Sequence, residues 1–300
     1  MTFSEQVREV AAENERLHPR DEGFLDQLKQ ASERLDQFDD ERELVLHKQL
    51  SPDKLGDDRN EVFLNLLRNQ RGWLDFFIHT HVYKVKQLVR RLEEDLNANK
   101  YLTAASASRA IVEHTASLNY YLEKHISPLF EKLQNIDPEA NFPAFVQNTV
   151  ELIRGLMKYA KATRFNWKSL VEGNLEKFYE SWDEVDESIE QVNILTMVDK
   201  LPQDERGARF FYEMLSDFLH PNVGSHLLFV DDVSHSEDTV KYTLRSEPRN
   251  DELLLAFLHV VSIPVKTSLP LFVDLVGGLS DNLRELENTL DRMERRSRSI

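Results

Sequence analysis

Apolar residues recur three and four positions apart along most of the chain, the spacing of one face of a helix. The first such series is Phe24, Leu28, Ala31, Leu35 and Phe38, a heptad-like seam on a segment otherwise dense in charge. Arg42 interrupts it before Val45. An apolar stripe on so charged a segment has to be covered, by the rest of the chain or by a second subunit. "SPDKLGDD" at 51–58 breaks the pattern. The next series predicts a helix over about 60–97, anchored by Phe63, Leu67, Trp73, Leu74, Phe77, Val85, Leu88 and Leu92. The one after it, over about 102–124, carries the small residues Ala104, Ala105, Ala107, Ala110 and Ala116, which let a neighbouring backbone approach closely. Pro128, Pro138 and Pro143 punctuate the way to a helix at about 143–163, and further helices are expected at about 173–198 and 204–220.

The period then changes. "HLLFVDDV" and "TVKYTLR" read as short strands, the second alternating Val240, Tyr242 and Leu244 with Lys241, Thr243 and Arg245. Two final helices are expected at about 250–266 and 268–296. The predicted fold class is therefore predominantly all-α: a helical bundle with a small β-hairpin insertion near 226–246 and an N-terminal helical arm. The expected division is a charged arm over 1–55 and a helical domain over 56–300.

Composition sharpens this picture. The chain has 300 residues, 9 glycines and 10 prolines, few enough to favour long elements. It has no cysteine, so disulfides and thiolate metal sites are excluded. The first 20 residues are charged throughout and lack the apolar stretch of a signal peptide. The longest apolar run, 253–265, is short for a bilayer and contains His259 and Pro264. A cytoplasmic protein without membrane contact is the expectation. A net charge of −16 argues against nucleic-acid affinity over the whole surface.

One local exception stands out. Residues 154–168 contain Arg154, Lys158, Lys161, Arg164 and Lys168, no acid, and the interleaved rings Tyr159, Phe165 and Trp167. Such a stretch suits phosphates with bases stacked on the rings. It equally suits a basic face paired with acidic helices such as "YESWDEVDESIEQ".

Candidate chemistry lies on two helices. In 204–220, Ala208, Phe211, Leu215 and Phe218 form the apolar face, while Arg209, Glu213, Ser216 and His220 share another. Pro221 disfavours helical geometry at His220 and places its imidazole at the C-terminal end, where the helix dipole favours a protonated ring. His220 and Ser216 there are either local caps or parts of a site. In 102–124, Arg109 and Glu113 stand one turn apart among alanines and serines, with Ser117 and Tyr120 continuing the stripe. A charged pair in that setting is either a structural ion pair or a functional group in need of partners. The two helices are expected to pack together, with Arg109 or Glu113 contacting Tyr212, Ser216 or His220.

The stretches "SRAIVEHTASLNYY" and "FYEMLSDFLHPN" resemble HEPN-type helical proteins of prokaryotes, in particular a branch with an Arg-x-x-x-Glu helix and a Tyr-x-x-Leu-Ser-x-x-x-His-Pro helix. The matching positions are Arg109 and Glu113, then Tyr212, Leu215, Ser216, His220 and Pro221, and the likeness covers about 100–230. The resemblance implies an all-helical fold, a homodimer, and a role in stress or phage defence. Ribonucleases of that superfamily use an arginine followed by four to six residues and then a histidine; the literal matches are Arg109 to His114 and Arg42 to His47. The pattern departs from theirs before His220, where Leu215 and Ser216 stand. On this resemblance the candidate catalytic set is Arg109, Glu113, Tyr212, Ser216 and His220, with His220 as base and Arg109 as the phosphorane-stabilising cation.

The functions that follow are binding of RNA, a nucleotide or a protein partner, metal-independent RNA cleavage, or a structural interaction module. No cofactor is expected and no metal: His79 and His81 are two apart, and Asp231, Asp232 and His235 are expected on the hairpin turn, solvated rather than ligating. Gly-rich phosphate loops and nucleophile elbows are missing from the sequence.

Overall fold

A computed structural model describes residues 24–45, 59–98, 100–135, 169, 171–176, 192–202, 208–222, 225–226, 229–245 and 251–297. The chain is predominantly helical with one two-stranded hairpin, as the periodicity predicts. The elements in order are α1 (Phe24–Leu35), α2 (Arg59–Asn97), α3 (Tyr101–Tyr121), a π-helical turn (Leu122–Ile126), α4 (Ser127–Asn135), α5 (Ile194–Val198), α6 (Ala208–Leu219), β1 (Val230–His235), β2 (Val240–Leu244) and α7 (Asp251–Ser297).

Two compact units are formed. The first draws its described residues from Met1–Leu44, Leu74–Asn119 and Met197–Asp281, the second from Val45–Trp73, Tyr120–Thr196 and Asn282–Ile300. Residues 24–44 of the arm thus belong to the first unit and Val45 to the second.

In the first unit α2 contributes Leu74, Ile78, Val82, Val85, Val89, Leu92 and Leu96, an unbroken three-and-four series in which every member is buried. The seam of α1 is covered by the chain itself. Phe24, Leu28, Ala31 and Leu35 are buried, and Val265, Leu269 and Pro270 of α7 line the same small groove as Phe24 and Leu28. Burying Phe24, Leu28 and Leu35 is worth about 1.5–3 kcal/mol each. Beyond α1 the chain is pinned to α2 by charge: Lys86 reaches Asp36 at 3.2 Å and Asp40 at 2.7 Å, and Arg90 reaches Asp36 at 2.7 Å. Arg42 meets the buried Asp75 at 3.1 Å.

The alanine face of α3 permits close approach, and α7 uses it. Ala104, Ala105, Ser108, Ile111, Val112, Thr115 and Ala116 are fully buried. The Ser108 hydroxyl donates to the Val261 carbonyl at 3.2 Å and that of Thr115 to the Ser268 carbonyl at 3.3 Å, contacts that only a short separation of backbones allows.

Those two carbonyls flank Pro264, and here the structure corrects the sequence reading. A break near residue 267 was expected; α7 instead runs as one helix of 47 residues with Pro264 and Pro270 inside it. A proline removes one backbone donor and costs about 3 kcal/mol or more in a helix interior. The buried series Phe257, Val261, Val265, Leu269, Phe272, Val276 and Leu279 crosses both prolines and offsets that cost. The Thr267 hydroxyl further binds the Ile263 and Pro264 carbonyls. Continuity also lengthens the apolar segment: by length and composition, Phe257–Arg292 would suffice to cross a membrane, yet 56% of its most apolar window is buried inside the chain, as in a core helix.

The expected helix over 173–198 is interrupted as well. Gly173 adopts a left-handed turn (φ 77°), which a side chain would resist. Val192 and Asn193 are not helical, and the Asn193 side chain accepts from Leu195 N at 2.9 Å, starting α5 afresh.

The strands pair antiparallel, with Val233 opposite Tyr242 and His235 opposite Val240, and with an irregularity between Val230 and Asp232. Asp231 pairs with Arg245 there. The second unit is built on Leu67 of α2, Tyr121 at the end of α3, Ile126 and Leu129 after it, and Leu286 of α7, all buried. Arg71 grips Glu287 through Nε (3.0 Å) and Nη2 (2.6 Å).

Candidate functional site

α3 and α6 meet through the expected residues. Arg109 and Glu113 lie one turn apart on α3, and Tyr212 projects from the first turns of α6. Arg109 Nε donates to Glu113 Oε1 (3.0 Å), Arg109 Nη2 donates to Tyr212 Oη (2.9 Å), and Tyr212 Oη donates to Glu113 Oε1 (2.9 Å). The guanidinium also sits 5.0 Å from the tyrosine ring centre. These three contacts close a ring in which each polar group serves the other two.

The electrostatics follow. Burial alone would lower the Arg109 pKa, but the Tyr212 hydrogen bond and the Glu113 charge more than offset it and raise it. Burial, then the hydrogen bond to Glu113, raise Tyr212, so its hydroxyl keeps its proton and remains a donor. The side chains of Arg109 and Glu113 are 28% and 35% exposed, so the ring lies at the edge of the interior.

The rest of the α6 stripe does not join it. Ser216 Oγ donates back to the Tyr212 carbonyl at 2.8 Å, a local helix bond. Arg209 pairs with Glu213 (2.8 Å) and Asp199 (2.9 Å) on the surface. The His220 ring is exposed and makes no hydrogen bond or ion pair among the described residues. Asn222, rather than His220, ties off the helix end: its side chain donates to Asp217 Oδ1 at 2.6 Å and accepts from Ser225 N at 2.8 Å. Of the five candidate residues, Arg109, Glu113 and Tyr212 form one constellation, with Ser216 behind it and His220 apart. Arg154, Lys158, Lys161, Arg164 and Lys168 lie outside the described residues, as does His47.

The neighbouring face of α3 meets α2 differently. His81 of α2 is buried, its Nδ1 3.1 Å from the Phe77 carbonyl and its Nε2 3.1 Å from Ser117 Oγ. Because a carbonyl only accepts, Nδ1 carries the proton and Nε2 takes the Ser117 hydroxyl, which is the neutral ring. Burial, with the positive field of His114 and Lys84, pushes the His81 pKa down to about 3. His114 packs edge-on against it, ring centres 5.2 Å apart, and burial with the Lys84 charge lowers its pKa to about 4. Beside His114 opens a cleft of about 540 Å³, lined by Lys84, Gln87, Leu88, Arg90, Arg91 and Glu94 of α2 and by Ala110 and His114 of α3.

Arg109 and His114, the literal arginine–histidine match, therefore serve different neighbours: Arg109 faces α6 and His114 faces α2. His79 and His81 also part, since His79 Nδ1 binds the Asp75 carbonyl at 2.9 Å while His81 turns to Ser117. Among the described residues no three His, Asp or Glu side chains are placed to hold a metal ion. The sequence reading passed over Lys84 and Arg91. Their spacing with Gln87 and Leu88 marks one face of α2, but nothing in the sequence says that His114 stands opposite.

Compared with protein families, curated proteins and solved structures, the chain gives no match.

Proposed function

We propose that this chain is a HEPN-like helical protein of the prokaryotic cytoplasm that binds RNA or a nucleotide, in stress or phage defence, without cleaving it. The observation that carries the reading is the disposition of the arginine and histidines. Cleavage through the 2′-hydroxyl by the candidate pair needs the His220 base and the Arg109 cation at one phosphate. The Arg109 charge is engaged by Glu113 and Tyr212, while His114 faces α2 and the His220 ring has no partner among the described residues. Binding requires less: cations beside a groove. The α2–α3 cleft supplies these on a chain of net charge −16.

The test is incubation of RNA with the wild type and with His220→Ala, beside a filter-binding titration at two salt concentrations. The expected result is intact RNA, retained on the filter more weakly at high salt. Cleavage that disappears in His220→Ala would instead make this a metal-independent ribonuclease.

A second reading, a protein-interaction module, is favoured by the hairpin. Val233, Val240, Tyr242 and Leu244 are 42%, 48%, 52% and 65% exposed, an apolar face on a two-stranded sheet whose edges are open. A second copy of the chain or another protein would suit it, and the mass in solution with and without Tyr242→Ser decides whether copies associate there.

A further inference from the structure

We infer that the cleft between α2 and α3 is a phosphate-binding site, with Lys84, Arg91 and His114 as its donors. This rests on the binding reading above and gives it a place and a ligand class.

Lys84, Gln87, Leu88 and Arg91 follow at i, i+3, i+4 and i+7, so they share one face of α2; Ala110 and His114, one turn apart, face them from α3. About 540 Å³ is within the range of small-ligand sites. Leu88 and Ala110 give it an apolar lining, and its charged groups are three cations and one carboxylate, Glu94.

The pairing of those groups is uneven. Arg90 is committed to Asp36 (2.7 Å), and Arg91 is shared with Asp95 (2.8 Å) and Glu94 (3.8 Å). Lys84 has neither an ion pair nor a hydrogen bond among the described residues, and the His114 ring has no hydrogen bond. Lys86, two residues along, shows what this chain does with a structural lysine: it gives it two aspartates. The His114 nitrogens are also absent from the buried, unsatisfied polar atoms, which among the described residues include His125 Nδ1 and Tyr83 Oη. The half-buried His114 ring lines the cleft.

An open ammonium, the Nη1 edge of a guanidinium whose Nε and Nη2 are held by Asp95, and an imidazole N–H around one groove suit an anion with several acceptor oxygens. A phosphate offers three; a carboxylate offers two. Burial is the main reason His114 stays neutral and the Lys84 charge adds to it; an anion against Lys84 cancels that second contribution, so occupancy raises the imidazole pKa and lower pH tightens binding. Lys84, Arg90, Arg91 and Glu94 of the cleft and His81 behind it are the charged or titratable groups that face His114 from α2.

Three probes separate the sources of the phosphate: pyrophosphate, a metal-free nucleoside triphosphate and a short RNA, each titrated calorimetrically into the full chain. Lys84→Ala is the decisive variant, because an exposed lysine with no partner can be removed without harm to the fold, and Lys241→Ala on the hairpin is the control. Pyrophosphate should bind the wild type and the control alike, and Lys84→Ala should weaken it about tenfold or more, since a charged hydrogen bond is worth that much. The His114 ring protons should shift on adding pyrophosphate, which a purely structural ring would not show. Failure of pyrophosphate to bind, or equal binding by Lys84→Ala, overturns the inference. RNA and pyrophosphate that both bind wild type and Lys84→Ala equally overturn it, while leaving the RNA-binding reading intact. Pyrophosphate held through Lys84 with no RNA bound supports the cleft as a nucleotide or free-phosphate site and removes RNA from the function.

Discussion

Glu113 and His114 are consecutive residues of α3, and they sit in opposite kinds of place. Glu113 belongs to a closed ring in which Arg109, Tyr212 and the carboxylate satisfy one another. His114 looks across at Lys84, and among the described residues neither has a hydrogen bond. A closed set of polar groups has already gained what hydrogen bonding can give, so a ligand entering it must first break something. An open set gains only when a ligand arrives. The difference says that the conspicuous charged motif of this chain is a joint between helices, and that the quieter pair beside it is where chemistry with another molecule can occur.

The largest effect that tests this contrast is acid sensitivity. His81 and His114 are held neutral, with pKa values of about 3 and about 4 against 6.5 for a free ring. The unfolded chain therefore binds more protons than the folded one between those limits, and stability falls as pH falls from 6.5 towards 4. The loss should be about 3 kcal/mol or more by pH 4, read from denaturant melts across that range. His81→Gln should remove about half of the slope, His114 supplying the rest; a profile already flat in the wild type would place these rings in water.

Next comes the ring. Glu113→Ala strips Arg109 and Tyr212 of their shared acceptor and should cost about 2–3 kcal/mol, a partly exposed version of breaking a buried pair. Tyr212→Phe leaves Arg109 and Glu113 paired and should cost less, about 1–2 kcal/mol. Pyrophosphate affinity should be unchanged in both. A loss of affinity without a loss of stability would reverse the roles of the two regions. The smallest effect belongs to the hairpin, where Tyr242→Ser should change the melting free energy by no more than about 0.5 kcal/mol. A larger change would mean that something covers the exposed face.

How much of this was legible beforehand divides along the same line. The buried rows of α1, α2 and α3 were readable from spacing, because packing at the core repeats every three or four residues. The hairpin was readable because its period is two. So was the meeting of α3 with α6, since Arg109 and Glu113 in an alanine-rich face needed partners and Tyr212 offered one. What failed was punctuation. Two helices parted near residue 267 were expected where a single one runs, its apolar series passing through Pro264 and Pro270 and outweighing two lost donors. Asn193 read as helix interior, while its side chain caps a new start. The cleft was invisible for a different reason: Lys84 and His114 are 30 residues apart on separate helices, and no periodicity along either one reports which faces meet across the gap.

The two-region account is tested most directly by one set of thermal melts: wild type, Tyr212→Phe and Lys84→Ala, each with and without pyrophosphate. A ligand that binds the folded chain raises its melting temperature by mass action. The account predicts that Tyr212→Phe melts lower than wild type yet gains the same increment from pyrophosphate. It predicts that Lys84→Ala melts like wild type and gains little or none. An increment lost in Tyr212→Phe and kept in Lys84→Ala would contradict it, and would return the ligand to the Arg109 ring.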